Sequence, residues 1–317
     1  MKLSIVVPIY NEEKNIYPFI ERTLIVLSKL KCTYEIIFVL DPCKDNTENM
    51  ILGIRKKNRN IKLLKMSRRF GQPACTLAGI YYSTGDACVV IDVDLQDPPE
   101  LIKEMVKKWN EGYHVVYAQR TSRKGETLIK LIVSSLGYWI INKISDVKIP
   151  KDTGDFRLLS REVIEELKNM KEHDGFLRGL VAYVGFNQIA IPYERDARFS
   201  GKGNYNKLFG SIRIGLNGLL GFSKYPLHLI SIMGFIISSL SFLLGLIYLI
   251  LKMINFNIIW GNPTLVILIS FLSGIQLLSL GVIGQYFARI YDEIKKRPVF
   301  IVQDAHGFEK KKNNWSK

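Results

Sequence analysis

Short apolar runs punctuate the first 120 residues, each followed by a polar turn and an amphipathic stretch. The runs at Leu3–Pro8, Glu35–Leu40, Ile61–Leu64, Ala87–Ile91 and Val115–Ala118 predict strands. Between them, residues 14–29, 46–57, 73–83 and 99–110 carry the spacing of helices. This alternation predicts an α/β, Rossmann-like domain with a mostly parallel sheet covered on both faces. Ligands of such sheets gather at the carboxyl ends of the strands.

Past residue 224 the pattern changes. No charged residue lies between Lys224 and Lys252, or between Lys252 and Arg289. A bilayer span needs ~20 apolar residues; Tyr225–Leu251 and Thr264–Ala288 both exceed that and are apolar on every face. Lys202, Lys207, Arg213 and Lys224 precede this pair, and Arg289, Lys295, Lys296 and Arg297 follow it. The connecting turn around Trp260, Gly261, Asn262 and Pro263 is served by Lys252 alone. The charge asymmetry predicts a two-helix transmembrane hairpin in the cell (inner) membrane with both termini cytoplasmic. Tyr225, Trp260 and Tyr291 fall near the span ends, where amphipathic rings favour the interface. The apolar start MKLSIVVPIYN is too short for a signal peptide.

The expected organisation is a cytoplasmic domain over 1–200, a juxtamembrane amphipathic segment over 201–225, spans over 226–290 and a basic cytoplasmic tail over 291–317. The spans themselves are placed at about 227–251 and 264–288. Residues 126–145, apolar but interrupted by Lys130 and Lys143, read as an interfacial helix, with an ordinary core-packing helix as the alternative. The stretch 206–224, with Lys207, Arg213 and Lys224, offers a second surface contact.

Lysine and arginine total 44 against 29 aspartate and glutamate, a net charge of +15. Such a balance points to nucleic acid, a phospholipid surface or a phosphorylated substrate. The basic residues flanking the spans find partners in anionic lipid head groups, and no nucleic-acid-binding motif is present, so nucleic acid is not an expected partner. Cys32, Cys43, Cys75 and Cys88 lack C-x-x-C spacing and read as reduced structural thiols rather than a zinc site.

Four strand ends carry chemistry. They read Pro8-Ile9-Tyr10-Asn11-Glu12-Glu13, Asp41-Pro42-Cys43-Lys44-Asp45, Asp92-Val93-Asp94-Leu95-Gln96-Asp97 and Gln119-Arg120-Thr121-Ser122-Arg123. Carboxylates beside a basic strand end suit a metal and phosphates, and hard oxygen ligands suit Mg²⁺ or Mn²⁺. Each element also has a plainer reading. Asn11, Glu12 and Glu13 suit a helix cap, Asp45 an N-cap, and Asp97 the start of the helix at Pro98-Pro99. Strand alternation aims Asp92 and Asp94 to one side at the end of CVVI, an unfavourable pair without a cation.

VVPIYNEE at 6–13, SRRFGQPACTLAGI at 67–80, DVDLQDPPELI at 92–102 and DTGDFRLLSREV at 152–163 resemble family 2 inverting glycosyltransferases. Within them the sequence is most similar to the polyisoprenyl-phosphate glycosyltransferases, the group of dolichol-phosphate mannose synthase and bacterial bactoprenol glucosyltransferases. The resemblance runs from about residue 2 to about 300 and includes the C-terminal hairpin. It implies a GT-A fold, a nucleotide-sugar donor, Mg²⁺ or Mn²⁺, a polyprenyl phosphate acceptor and a homo-oligomer, a tetramer in the family.

Carried over by motif, Pro8, Tyr10, Glu12, Asp41 and Asp92 would contact the nucleotide sugar. Asp94 and Gln96, with Asp92, would bind the metal. Asp155, with Asp92, would be catalytic, and Arg120, Arg123 and Arg157 would hold the acceptor phosphate. Two departures stand out. Relatives usually end the second strand in D-D-G-S-x-D, where this chain has Asp41-Pro42-Cys43-Lys44-Asp45; and G-x-S-K-Y becomes Gly201-Lys202-Gly203-Asn204-Tyr205.

The expected reaction moves one sugar, glucose from UDP-glucose, to undecaprenyl phosphate, giving a lipid-linked donor for cell-surface glycans. UDP-N-acetylhexosamines, a modified UDP-pentose, or GDP-mannose with dolichyl phosphate are the alternative substrates. A processive polysaccharide synthase would show more spans and a Q-x-x-R-W motif. An inactive membrane adaptor would have no use for Asp92, Asp94, Gln96 and Asp155 together. Two spans are too few for a single-chain transporter.

Overall fold

A computed structural model describes residues 1–121, 147–148, 150–170, 176–196, 199–200, 221–254 and 262–308. The interfacial-helix expectation at 126–145, the departure at 201–205 and most of 206–224 lie outside the described residues.

The first half follows the apolar pattern. Strands β1 (Lys2–Ile9), β2 (Thr33–Leu40), β3 (Ile61–Met66), β4 (Ala87–Val90) and β5 (Val115–Arg120) alternate with α1 (Ile16–Leu30), α2 (Thr47–Lys57), α3 (Gln72–Tyr82) and α4 (Ile102–Asn110). A short 3-10 turn, Pro99–Leu101, leads into α4. Then come β6 (Thr153–Ser160), α5 (Arg161–Met170), α6 (Leu177–Val184), β7 (Gln188–Tyr193), the long helices α7 (Tyr225–Met253) and α8 (Asn262–Ile294), and β8 (Val302–His306).

The eight strands form one sheet in the order β7-β5-β6-β4-β1-β2-β3-β8. β1 pairs in parallel with β2 and β4, β2 with β3, and β5 with β7. β6 runs antiparallel between β4 and β5, and β8 antiparallel along β3. The sheet is therefore mixed, as in GT-A domains. The sequence reading stopped at the fifth strand and missed the three that follow.

The central strands are apolar on consecutive positions because both faces are covered. Ile5, Val7, Ile36, Phe38 and Leu40 face a layer with Phe19 of α1, Ile51 of α2 and Met105 of α4. Val6, Ile37, Val39 and Val90 face the other layer, with Leu77 of α3, Val163 of α5 and Leu180 of α6. Burying one such side chain stabilises the fold by ~1.5–3 kcal/mol, so a register slip in any central strand would be costly. Cys75 and Cys88 are buried, Cys32 and Cys43 are partly exposed, and none of the four is disulfide-bonded.

α7 and α8 are long and apolar enough to cross a membrane over Tyr225–Ile247 and Ile267–Ile294. A soluble core helix would bury its large side chains, but Phe235, Phe242, Ile267 and Leu277 are at least two-thirds exposed. So large an exposed apolar surface marks an interaction face, and lipid is one environment that suits it. Beyond α8, the region expected to be only a basic tail returns to the sheet. β8 pairs with β3, and Phe300 and Phe308 stack near Tyr81 and Tyr82 of α3.

Candidate active site

β4 ends at Val90, and the Ile91 amide still donates to the Val6 carbonyl at 3.0 Å. Asp92 and Asp94 therefore lie in the following turn, and the strand-alternation argument for their placement fails. The turn itself brings them together. Leu95, at its centre, holds φ at 59° while its side chain is buried. A branched residue in the left-handed region is strained by ~1–3 kcal/mol, a cost that the surrounding packing must offset. Asp94 Oδ1 accepts from the Gln96 amide at 3.2 Å, and Asp92 Oδ1 accepts from Gln72 Nε2 at 2.9 Å.

Burial, and then the like charges of Asp97, Asp94 and Asp155, push the Asp92 carboxyl well above the usual range, with Arg195 pulling the other way. A bound cation would relieve that repulsion. Among the described residues no three His, Cys, Asp or Glu side chains form a ready-made metal cage. The donor set instead fits a hard divalent ion that takes one or two carboxylates and completes its shell with water and substrate phosphates.

At the ends of β1 and β2 two loops clasp each other. Lys44 N donates to Asn11 Oδ1 at 2.9 Å, Glu12 N to Thr47 Oγ1 at 3.2 Å and Glu13 N to Asp45 Oδ2 at 3.2 Å. α1 starts only at Ile16 behind Asn15, so Asn11, Glu12 and Glu13 serve this clasp rather than a cap. The N-cap of α2 is Asn46 rather than Asp45, which stands one residue earlier and accepts from the Thr47 amide through Oδ1 at 3.2 Å. Cys43 explains how the altered β2 end holds its shape. Its Sγ accepts from the Asn11 amide at 3.1 Å and donates to the Asp41 carbonyl at 3.2 Å. Burial foremost, with nearby carboxylates, pushes that thiol to about 11, so it stays protonated.

Asp41 is buried, and its two oxygens accept from the amides of Phe70 and Gly71 at 3.0 and 2.8 Å. It thereby shapes the loop after β3. The Arg69 guanidinium lies 4.1 Å from the ring centre of Tyr10. Pro8, the next-to-last residue of β1, sits in register with Val39, and the Glu12 carboxylate accepts from Asn15 Nδ2. The four expected nucleoside contacts thus share one rim of the sheet.

β6 starts where its antiparallel neighbours β4 and β5 end, which carries Asp155 and Arg157 to the same rim. Asp155 Oδ1 lies 3.0 Å from Arg178 Nε of α6. Burial would raise this carboxyl, but Arg178, Arg157 and Arg120 outweigh it and hold it below the usual range. Arg157 is buried; its Nη2 donates to the Gly154 carbonyl at 2.8 Å, while its Nε has no partner. Burial above all lowers this guanidinium to about 10. A guanidinium N–H so placed is a donor awaiting an acceptor.

Arg120 Nε donates to the Tyr193 hydroxyl at 3.4 Å, and that hydroxyl donates to Asp97. Arg195 Nε stands 3.5 Å from the same carboxylate. Asp97 is thus a buried partner for β7 and the segment after it, not the starter of the next helix. The tip of Arg120 packs close over Gly154, where a Cβ would come within 2.9 Å of Nη2. Arg123 lies outside the described residues. Sequence reasoning missed Arg178 and Tyr193. A lone arginine in the apolar stretch GFLRGLVAYVG was the available signal for the first.

One rim therefore combines a carboxylate turn with three guanidiniums around Asp155. The profile of "Glycosyl transferase family 2" matches residues 4–168. An uncharacterized glycosyltransferase of Synechocystis is 46% identical over 98% of this chain and 97% of its own length. The Bacillus subtilis glycosyltransferase YkcC is 45% identical over 98% and 96%. The SfII prophage-derived bactoprenol glucosyl transferase of Shigella flexneri is 38% identical over 96% of this chain and 99% of its own. The chain belongs to glycosyl transferase family 2.

Proposed function

We propose that the protein transfers glucose from UDP-glucose to undecaprenyl phosphate, with inversion at the sugar carbon. The observation that carries this reading is the meeting of opposite charges at Asp155. On one side stand the carboxylates of Asp92 and Asp94; on the other stand Arg157, Arg178 and Arg120. The first suits a cation-bound diphosphate and the second a phosphate nucleophile. Similarity to a bactoprenol glucosyl transferase over nearly the whole chain favours the sugar and the lipid.

Pro8, Tyr10, Glu12 and Asp41 seat the nucleoside in this reading. Asp94 and Gln96, with Asp92, hold Mg²⁺ or Mn²⁺, which when bound neutralises charge on the departing diphosphate. The acceptor, a phosphate monoester with a second pKa near ~6, is largely ionised at neutral pH and needs little help from a base. Asp155 suits that demand. Tied to Arg178 and held below the usual carboxylate range, it is a poor proton acceptor and a good orienting charge. It aims the guanidiniums that bind the acceptor and steadies positive charge developing on the sugar.

β8 supports the topology. The chain enters α7 from the catalytic domain and, after α8, pairs again with β3 of that same domain. Both ends of the hairpin thus belong on one side, the cytoplasmic side by the loop charges. A cysteine at Asn262 in an otherwise cysteine-free variant should react with an impermeant reagent from outside.

The direct test incubates membranes containing the protein with labelled nucleotide sugars and extracts the lipid. Label should pass from UDP-glucose to a polyprenyl product and require a divalent cation. Label passing from GDP-mannose alone, or from no donor, would overturn the assignment.

A further inference from the structure

Arg178 and Gly179 are neighbours on α6 and look in different directions. Arg178 holds Asp155 at 3.0 Å. At Gly179 the ring of Phe222 fills the space that a side chain would occupy, and a Cβ there would fall inside its van der Waals envelope. The Phe176 ring also borders the notch, its centroid 6.1 Å from that of Phe222 with the rings at 54°. Phe222 also packs on the layer containing Leu177, Leu180 and Val181.

The residue after it faces the hairpin. Ser223 is buried, and its Oγ accepts from the amide of Tyr225, the first residue of α7, at 3.1 Å. Its carbonyl accepts from the Tyr286 hydroxyl of α8 at 2.7 Å. Two consecutive residues thus join the helix that carries Arg178 to both apolar helices.

A lipid phosphate can approach only as far as its head group and first isoprene units reach from the bilayer. The Asp155–Arg178 pair must therefore stand at a set distance from the hairpin. We propose that Phe222, seated in the Gly179 notch, is a positioning residue that fixes the Asp155–Arg178 pair relative to the membrane helices for attack by a bilayer-embedded acceptor. The inference rests on the reading of the acceptor as a polyprenyl phosphate. Phe222 touches no reacting atom; it acts through α6. A displacement of ~1 Å at a reacting centre costs up to 10²-fold in rate, so a loosened joint has a measurable effect.

The test uses the full chain with UDP-glucose and two acceptors: undecaprenyl phosphate in phosphatidylethanolamine–phosphatidylglycerol vesicles, and water-soluble citronellyl phosphate. Phe222→Ala should lower kcat/KM for the vesicle acceptor by about 10- to 100-fold. UDP binding and kcat/KM for citronellyl phosphate should stay within about twofold, because neither depends on the joint. Phe222→Leu should restore most of the loss by refilling the notch. Tyr286→Phe, which removes one hydroxyl and no packing volume, should show the same split at smaller amplitude and serves if the alanine variant does not fold. Equal losses on both acceptors, or none on either, would overturn the proposal. A wild-type chain that uses neither acceptor would overturn the polyprenyl-phosphate reading, and the proposal with it.

Discussion

Glu35, near the amino end of β2, and Asp92, just past the carboxyl end of β4, are carboxylates at opposite rims of one sheet, and their surroundings are opposite too. Glu35 accepts from Ser4 Oγ at 2.6 Å and from the Thr84 amide at 2.7 Å, and it pairs with Lys62 Nζ at 2.7 Å. Burial raises its pKa, but Lys62, Ser4 and Thr84 prevail and bring it to about 2. Asp92 has Gln72 as a hydrogen-bond donor and three carboxylates around it, and its pKa moves up. The fold neutralises charge with its own partners at one rim and crowds carboxylates together at the other. The second arrangement adds nothing to stability, and crowded, perturbed carboxylates of this kind cluster at functional sites.

The widest separation of the two rims should come from Glu35→Ala. Breaking a buried pair leaves Lys62 uncompensated and should cost ~3–5 kcal/mol of stability, read as a lowered thermal midpoint, with UDP affinity per folded molecule unchanged. The sign with pH follows from the lowered pKa. Glu35 stabilises the fold fully above its unfolded value of 4.5, and that contribution is lost as pH falls towards about 2. Glu35→Gln should flatten stability across that acid window, as followed by denaturant midpoints.

Asp94→Ala attacks the other rim and should do the reverse. The thermal midpoint should hold while transfer falls about 100-fold, near 2.7 kcal/mol, since even outer-shell ligand changes cost 10–100-fold. Full activity in a chelator would refute the metal assignment.

Arg120→Ala should raise the apparent KM for lipid phosphate about 10- to 150-fold, the ~1.5–3 kcal/mol of a charge-assisted hydrogen bond, with UDP affinity little changed. Arg120→Lys should recover only part, having lost the fork. If nucleotide binding fell and lipid dependence stayed, Arg120 would belong to the donor side. The smallest effect should be a gain. Asp92→Asn removes a repelled charge and should stabilise the metal-free protein by ~0.5–2 kcal/mol, measured by melting in chelator.

How legible these rims were differs along the chain. The helix expected at 46–57 is found over Thr47–Lys57, and that at 14–29 over Ile16–Leu30, because covered parallel strands and amphipathic helices write strong periodic signals. β6 went unseen although DTGDFRLLSREV was singled out, since its register is set by two distant partners, β4 and β5. β8, with VQDAH, carries almost no apolar pattern; it exists because β3 offers an open edge. The site's carboxylates were readable as motifs, but the partners of Asp97 were not. Asp97 passed for a helix starter because its partners Tyr193 and Arg195 lie about 100 residues away. Arg178 was hidden in an apolar run whose fold brings it to Asp155.

The difference between the rims is tested most directly by calorimetric titration of UDP into the full-length protein, with Mn²⁺ and with chelator, for wild type, Asp94→Ala and Glu35→Gln. A ligand-completed metal site predicts that Mn²⁺ tightens UDP binding at least about tenfold. That gain should vanish in Asp94→Ala and persist in Glu35→Gln. Equal UDP affinity in Mn²⁺ and chelator for wild type, or an undiminished Mn²⁺ gain in Asp94→Ala, would contradict the account.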